Sequence, residues 1–297
     1  MSVSRTARGY LLVILSAVIY GFMPLIVKRI YADGVTPFSV VLYRNLLSVP
    51  TVALLALKQY KTLKIPVHTL PGISVLGFLG SCITPVMLYA SYRYMASGTA
   101  MVMHFIYPAA VVLGGVLFYR EKATRGNILC MLMCVAGMAL FYTPGEPLDW
   151  RGCSLAIASG LTYAMYILML AHFRHREIAG FLMNFYFFLI NSVIMLVVCC
   201  VTGTLTFPVS VGGWIACLVM GNIVNVIAVS LFQRGTMMIG GQKASVLSAM
   251  EPITSVFVGI LVFQEAMTLR VGAGSALVIL AGVLIVMLDR KKEQGTA

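Results

Sequence analysis

A carboxylate followed by proline stands in the middle of a long apolar run at Glu251-Pro252. An ionisable group is costly there, so it is expected to face a cavity, a partner helix or a proton path. The proline removes a backbone hydrogen bond and kinks the helix, which turns carbonyls toward the same space. Ser248 and Ser255 lie near one turn to either side and extend the polar stripe. Proton coupling or recognition of a cation is the chemistry open to Glu251. The alternative is a structural carboxylate bonded between helices. A second run carries His104, Tyr107 and Pro108 in the order Ser248, Glu251 and Pro252 take in the first. An unperturbed imidazole titrates near neutral pH, so His104 is a candidate proton or substrate group, or else a neutral interior partner. Pro108 and Pro252 are candidate hinges. Arg44 sits about two turns inside another run. It could capture a substrate carboxylate, but snorkelling outward or pairing between helices is the favoured reading.

Further polar residues repeat at helical spacing. Ser16 and Tyr20 share one face, Ser159, Tyr163 and Tyr166 another, Ser81 and Thr84 a third, and Asn222 and Asn225 a fourth. Asparagine in a spanning helix needs a bond across helices or contact with water. These stripes could wall a cavity with hydroxyls, amides and aromatic faces, and packing is an equal reading for each. Tyr10, Tyr31 and Tyr142 fall near helix ends and read as interface anchors. Glu121 and Glu265 end two runs, with Thr124 and Thr268 placed to N-cap the next helices. Ala17, Gly21, Ala156, Gly160 and Ala164 are small enough for close helix approach.

Other chemistries lack their residues. The sequence has no Walker A loop, no HExxH and no GxSxG, so neither a nucleotide motor nor a hydrolase is expected. Seven cysteines fall inside or at the ends of apolar runs without a CxxC pair, and read as packing residues. No enzyme activity, cofactor or metal is expected. The net charge of +12 suggests nucleic acid only until its placement is considered. The basic residues form short clusters between apolar runs and no continuous face, which excludes nucleic acid as a partner.

The elements that position these groups follow from composition. Of 297 residues, 60% are hydrophobic and 10% charged, and mean hydropathy is +0.97. Soluble domains carry roughly 25% charged residues, so the lipid bilayer is the solvent this chain requires. Ten spans are predicted: Gly9–Val27, Thr36–Leu57, Thr69–Ser91, Ser97–Tyr119, Thr124–Tyr142, Trp150–Leu170, Ile178–Thr202, Gly212–Phe232, Gly241–Phe263 and Leu269–Leu288. The first resembles a signal peptide, but lacks a convincing cleavage site and reads as a retained helix. With the N-terminus in the cytoplasm, fifteen Lys and Arg fall on that side and five outside. Both termini are therefore expected to be cytoplasmic.

Sliding the chain on itself by 143 or 144 residues reveals a repeat. Ser16 and Tyr20 meet Ser159 and Tyr163; Pro108, Gly115, Leu117, Glu121 and Thr124 meet Pro252, Gly259, Leu261, Glu265 and Thr268. Over 99–126 against 243–270, eight of twenty-eight positions are identical. Each half holds five helices, so the second enters the membrane from the opposite side. The fold class is all-α integral membrane, with inverted repeats at 1–143 and 144–297. Inverted repeats commonly rock about a midplane site.

With Gly9-Tyr-Leu-Leu, Ser16-Ala17, Tyr20-Gly21, Tyr43-Arg44, Pro108 with Glu121-Lys-Ala-Thr124, and Glu251-Pro252 with Glu265-Ala-Met-Thr268, the chain resembles the drug/metabolite transporter superfamily, EamA type, over nearly its whole length. The resemblance implies secondary export of a metabolite, amino acid or drug-like compound, often from a bacterial inner membrane. The expected partners are the bilayer, a small-molecule substrate and, as a candidate coupling ion, the proton. The competing reading is a membrane-embedded receptor or regulatory protein without flux; a lipid-modifying enzyme is opposed by the missing catalytic set.

Overall fold

Proline breaks or re-pitches the helices of this protein at regular depth. A proline ring clashes with the carbonyl four residues back, and its missing N–H leaves that carbonyl unpaired. In the computed structural model, which describes residues 5–140, 142, 149–175, 178, 180–263 and 268–294, these interruptions fall at mid-helix positions. Helix α1 (Thr6–Tyr31) has a turn at Phe22, before Pro24. Helix α2 (Pro37–Tyr60) turns at Leu47 and Ser48, before Pro50. Helix α3 (Val67–Ser91) widens to π geometry over Phe78–Ile83, before Pro85. Helix α4 (Ser97–Tyr119) breaks at Phe105 and Ile106, before Pro108.

The remaining helices are α5 (Arg125–Ala139), α6 (Trp150–Ala171), α7 (Phe181–Thr202), α8 (Val211–Ile239), α9 (241–263) and α10 (Leu269–Gln294). Helix α9 breaks at Ser248 and Ala249, before Pro252, and α8 widens to π geometry over Met220–Val229. Both expected N-caps form: Thr124 accepts from Asn127 N at 3.2 Å and Thr268 from Val271 N at 3.3 Å. Glu265 lies outside the described residues. Among the described residues eight helices are long and apolar enough to cross a membrane, α5 is a shorter apolar helix, and α9 is two shorter segments.

The ten helices are an inverted repeat in their packing as well as their order. Helix α1 packs on α8 and α9, and its counterpart α6 packs on α3 and α4. Helices α2 and α7 pack against each other, and α5 pairs with α10. Hydrogen bonds obey the same relation. Tyr43 donates to Thr206 O at 2.8 Å, and Tyr186, 143 residues later, donates to Leu63 O at 2.8 Å. Thr206 is itself 143 residues after Leu63. The outer faces carry exposed leucine, valine and phenylalanine, such as Leu113, Phe118 and Val193, as lipid contact requires.

Two boundaries differ from expectation for physical reasons. Helix α1 runs on to Tyr31 because the turn at Phe22 redirects the helix without ending it. Helix α8 runs on to Ile239, and Gly240 with φ +84° stops it. Tyr10, expected at an interface, is buried in the core. Helix α1 approaches α8 closely there: a side chain on Gly9 would meet Met238 Cβ at 2.9 Å, and one on Gly235 would meet Gly9 O at 2.9 Å.

Candidate functional site

The broken segments of α1, α3, α4 and α9 converge with α2 and α6 on one cavity. Its walls are Tyr20 and Met23 from α1, Arg44 from α2, Gly80, Thr84, Pro85, Leu88 and Tyr89 from α3, His104 from α4, Tyr163 from α6 and Glu251 from α9. Both repeats contribute. The water-accessible space is about 40 Å³, enough for a few water molecules. Glycines close the walls. A side chain on Gly21 would meet Glu251 O at 2.7 Å, and one on Gly160 would run into the carbonyl of His104. Each repeat thus presses its first helix against the proline break of a helix from the other repeat.

Arg44 is the buried cation of the site, 3% exposed. Its Nε and Nη2 both donate to Asn225 Oδ1, the former at 3.0 Å, and its Nη1 donates to Tyr89 Oη at 2.6 Å. Tyr89 passes its own proton to the Met23 thioether at 3.0 Å. Asn225 in turn donates to Arg44 O at 2.8 Å and lies 3.3 Å from Asn45 Oδ1 and Ser48 Oγ. Asn45 donates to Ser81 O at 2.9 Å, the carbonyl that Pro85 leaves unpaired. The polar groups therefore form one cross-repeat clamp joining α2 to the π-helical segments of α3 and α8. Neither ion pair among the described residues involves Arg44 or Glu251.

His104 has a defined tautomer. Ser159 Oγ gives its single proton to Ala156 O at 2.6 Å, so at 2.7 Å it must accept from His104 Nδ1–H. The other ring nitrogen then carries a lone pair in the neutral imidazole. His104 packs against Tyr107 and Tyr163, with centroids 5.4 and 5.5 Å apart, and Tyr107 meets Tyr163 edge-on at 4.9 Å. The Tyr107 hydroxyl is buried beside Ser248 of α9. Glu251 is 5% exposed and shares the cavity with Arg44. No group of three or more potential metal ligands occurs among the described residues.

Of the residues singled out in the sequence, Tyr20, Arg44, Thr84, His104, Tyr163 and Glu251 line the cavity. Tyr107, Tyr166, Ser248 and Asn225 stand behind them: Tyr166 stacks on Tyr163 at 5.8 Å, and Ser248 donates to Ala244 O at 2.8 Å. Ser81 acts through its carbonyl. Pro108 and Pro252 lie just after the breaks of α4 and α9. Arg44 does not snorkel; it takes the other half of the favoured reading, pairing between helices with Asn225 and Tyr89. Asn222 does not join Asn225 in the Arg44 clamp; its amide donates to Leu218 O of its own helix at 2.9 Å. The reason is the π pitch, which takes more residues per turn, so positions three apart diverge. Tyr89 was missed. It lies in the regular helical stretch Thr84–Ser91, one turn beyond Pro85, on the same face as Thr84 and Leu88.

Comparison with known proteins agrees with this fold. A family model described as EamA-like transporter family matches residues 7–143 and 150–288. A protein named as an uncharacterized transporter from Archaeoglobus fulgidus is 27% identical over 284 residues, covering 93% of this chain and 95% of its own. The uncharacterized inner membrane transporter YicL of Salmonella typhimurium is 29% identical over 212 residues, covering 68% of this chain and 67% of its own. The uncharacterized transporter YcbK of Bacillus subtilis is 23% identical, covering 95% and 94%. A solved crystal structure superposes with a TM-score of 0.78 at 16% identity, covering 96% of this chain and 98% of that one.

Proposed function

The chain belongs to the EamA-like transporter family, and from that premise we propose that it exports a small molecule by alternating access between its two halves. We divide the halves at 143/144. The observation that carries this reading is a polar cavity built jointly by both repeats, which are also tied together by the symmetry-related bonds Tyr43–Thr206 and Tyr186–Leu63. Rocking one repeat on the other would break those bonds in turn and open the cavity to each side. The space of about 40 Å³ is far below the ~300 Å³ of a typical ligand pocket, so cargo enters only when an end opens. Glu251 and His104 are the proposed proton-linked groups. The basic loops are proposed to face the cytoplasm, with both termini there, and the membrane to be a bacterial inner membrane. The name of the Salmonella relative supports that location.

Thiol labelling tests the reading. A Thr84→Cys variant lacking the seven native cysteines is placed in right-side-out and inverted vesicles and exposed to a membrane-impermeant reagent. Alternating access predicts labelling of the cavity cysteine from both sides. Labelling from neither side, or from one side under every condition, would exclude it and favour a receptor without flux.

A further inference from the structure

Arg44 is an incompletely used cation. A guanidinium has five N–H groups in a fixed planar fork. Three are taken, by Asn225 and Tyr89, which leaves one N–H on each terminal nitrogen. Such a pair suits the two oxygens of a carboxylate. The partners already bound are neutral oxygens, so they orient the guanidinium without cancelling its charge. Asn225 does most of this orienting, since its Oδ1 takes two of the three bonds while its amide is fixed by the Arg44 carbonyl.

The second charged wall residue is Glu251. It is faced by Tyr20 from α1, Arg44 from α2, Tyr89 from α3, His104 and Tyr107 from α4, and Tyr163 from α6. Cys134 of α5 lies behind Tyr107, and α10 carries no titratable residue between Arg270 and Asp289. When Glu251 is ionised, its charge and that of Arg44 cancel and the empty cavity is neutral. Adding a monoanion would leave one uncompensated negative charge in a buried, low-dielectric site, which is strongly unfavourable. Protonating Glu251 removes it. The rest of the wall is aromatic or apolar, from Tyr20, Tyr163, Met23, Pro85 and Leu88, and suits an apolar body.

Resting on the transporter reading above, we propose that the cargo is a small carboxylate with an apolar or aromatic body, docked on Arg44, and that each anion binds together with one proton on Glu251. The proton is taken from water at the open face and returned to water at the other, with the carboxylate leaving as the anion. Net transfer is therefore electroneutral. Arg44 is the binding group, Glu251 the proton carrier and Asn225 a positioning residue.

Calorimetry on the purified full-length protein in detergent at pH 9, where Glu251 starts ionised, tests this with four probes that share a phenyl ring: 3-phenylpropionate, phenylalanine, 3-phenylpropylamine and 3-phenylpropanol. Titration in buffers of different ionisation heat counts protons. The expected result is preferential binding of 3-phenylpropionate with about one proton taken up per molecule. Glu251→Gln should still bind it, with the proton uptake gone. Arg44→Lys keeps the charge but loses the fork, and should weaken binding about tenfold or more. Preference for the amine, the zwitterion or the alcohol, binding of the carboxylate without proton uptake, or binding of none of the four would overturn the proposal. Two-sided labelling at Thr84→Cys decides the transporter reading separately, so the two failures are distinguishable.

Discussion

The two symmetry-related sides of the protein share one hydrogen bond and differ in almost everything around it. At one end Tyr43 holds the carbonyl of Thr206; at the other Tyr186 holds the carbonyl of Leu63. Around Tyr43 the seal is dense. Thr36 and Ser39 both donate to Thr204 O, at 2.6 and 3.1 Å, and Thr206 N donates to Ser39 Oγ at 2.9 Å. Asp33 accepts from both Ser210 N and Ser210 Oγ, at 2.9 and 2.6 Å, while Arg29 donates to Asp33 at 2.8 Å. On the Tyr186 side Arg234 donates to Gln59 at 3.0 Å, Gln242 donates to Glu121 at 2.6 Å and accepts from Asn127 at 2.7 Å, and His172 lies 3.3 Å from Glu121. The backbone relation of the repeats supplies the tyrosine latch on both sides. Side chains that do not repeat give each side its own network: around Asp33 on one, around Glu121 and Gln242 on the other.

At the centre the repeats remain alike, and the largest expected effect tests that. Gly21 and Gly160 each sit where an added side chain meets a backbone carbonyl of a broken helix, and a backbone atom cannot turn aside as a side chain can. Gly21→Val and Gly160→Val should each destabilise the protein by about 1–3 kcal/mol or more, through forced overpacking. Thermal unfolding in detergent measures this. Similar losses from the two variants would place the asymmetry at the ends; a large loss from one alone would extend it to the core.

At the ends the effects should be unequal. Asp33→Ala strips Ser210 and Arg29 of their shared acceptor, and hydrogen bonds to a charged group are the stronger kind. Labelling of Thr84→Cys from the Tyr43 side should rise on the order of tenfold. An unchanged rate would mean that the Asp33 network does not hold that end. The tyrosine latches make a smaller test, since a neutral hydrogen bond contributes about 0.5–1.5 kcal/mol. Tyr186→Phe should speed hydrogen exchange in residues 61–66 several-fold. Tyr43→Phe should change residues 203–210 less, because Thr206 keeps its bonds to Ser39 and Thr36. Equal responses would refute the claim that one seal is redundant.

Much of this was legible in the sequence, and the rest was hidden for a physical reason. Hydropathy placed ten helices, and the offset of 143 to 144 residues revealed the repeat, because lipid fixes helix length and the repeat preserves the proline pair Pro108 and Pro252. Six cavity residues, Glu251, His104, Arg44, Tyr20, Tyr163 and Thr84, followed from the rule that polar groups in a span need a reason. Asn222 and Asn225, grouped by α spacing, part company where α8 takes π pitch. Tyr89 was passed over because a tyrosine in an apolar run carries no local mark of its partner, Arg44, 45 residues away. The seal at Asp33 escaped for another reason: its partner Ser210 lies 177 residues away, and nothing local marks the pair.

Acidification should give the smallest effect and the most selective one. The Ser210 hydrogen bonds, helped by Arg29, hold the Asp33 carboxyl below the usual carboxylate range. A carboxylate whose value is lowered in the sealed state contributes to the seal at every pH above its free value of about 3.9. That contribution is lost as pH falls through the lower, sealed-state value. Nothing should therefore change at the Tyr43 end between neutral pH and roughly pH 5, and its seal should weaken only below that. Hydrogen exchange in residues 204–210, corrected for the intrinsic pH dependence of exchange, follows the step, with residues 61–66 as the comparison within the same molecule. Asp33→Asn should abolish the step in 204–210. A step that survives this substitution would show that another group titrates at the seal, and that the difference between the ends does not rest on Asp33.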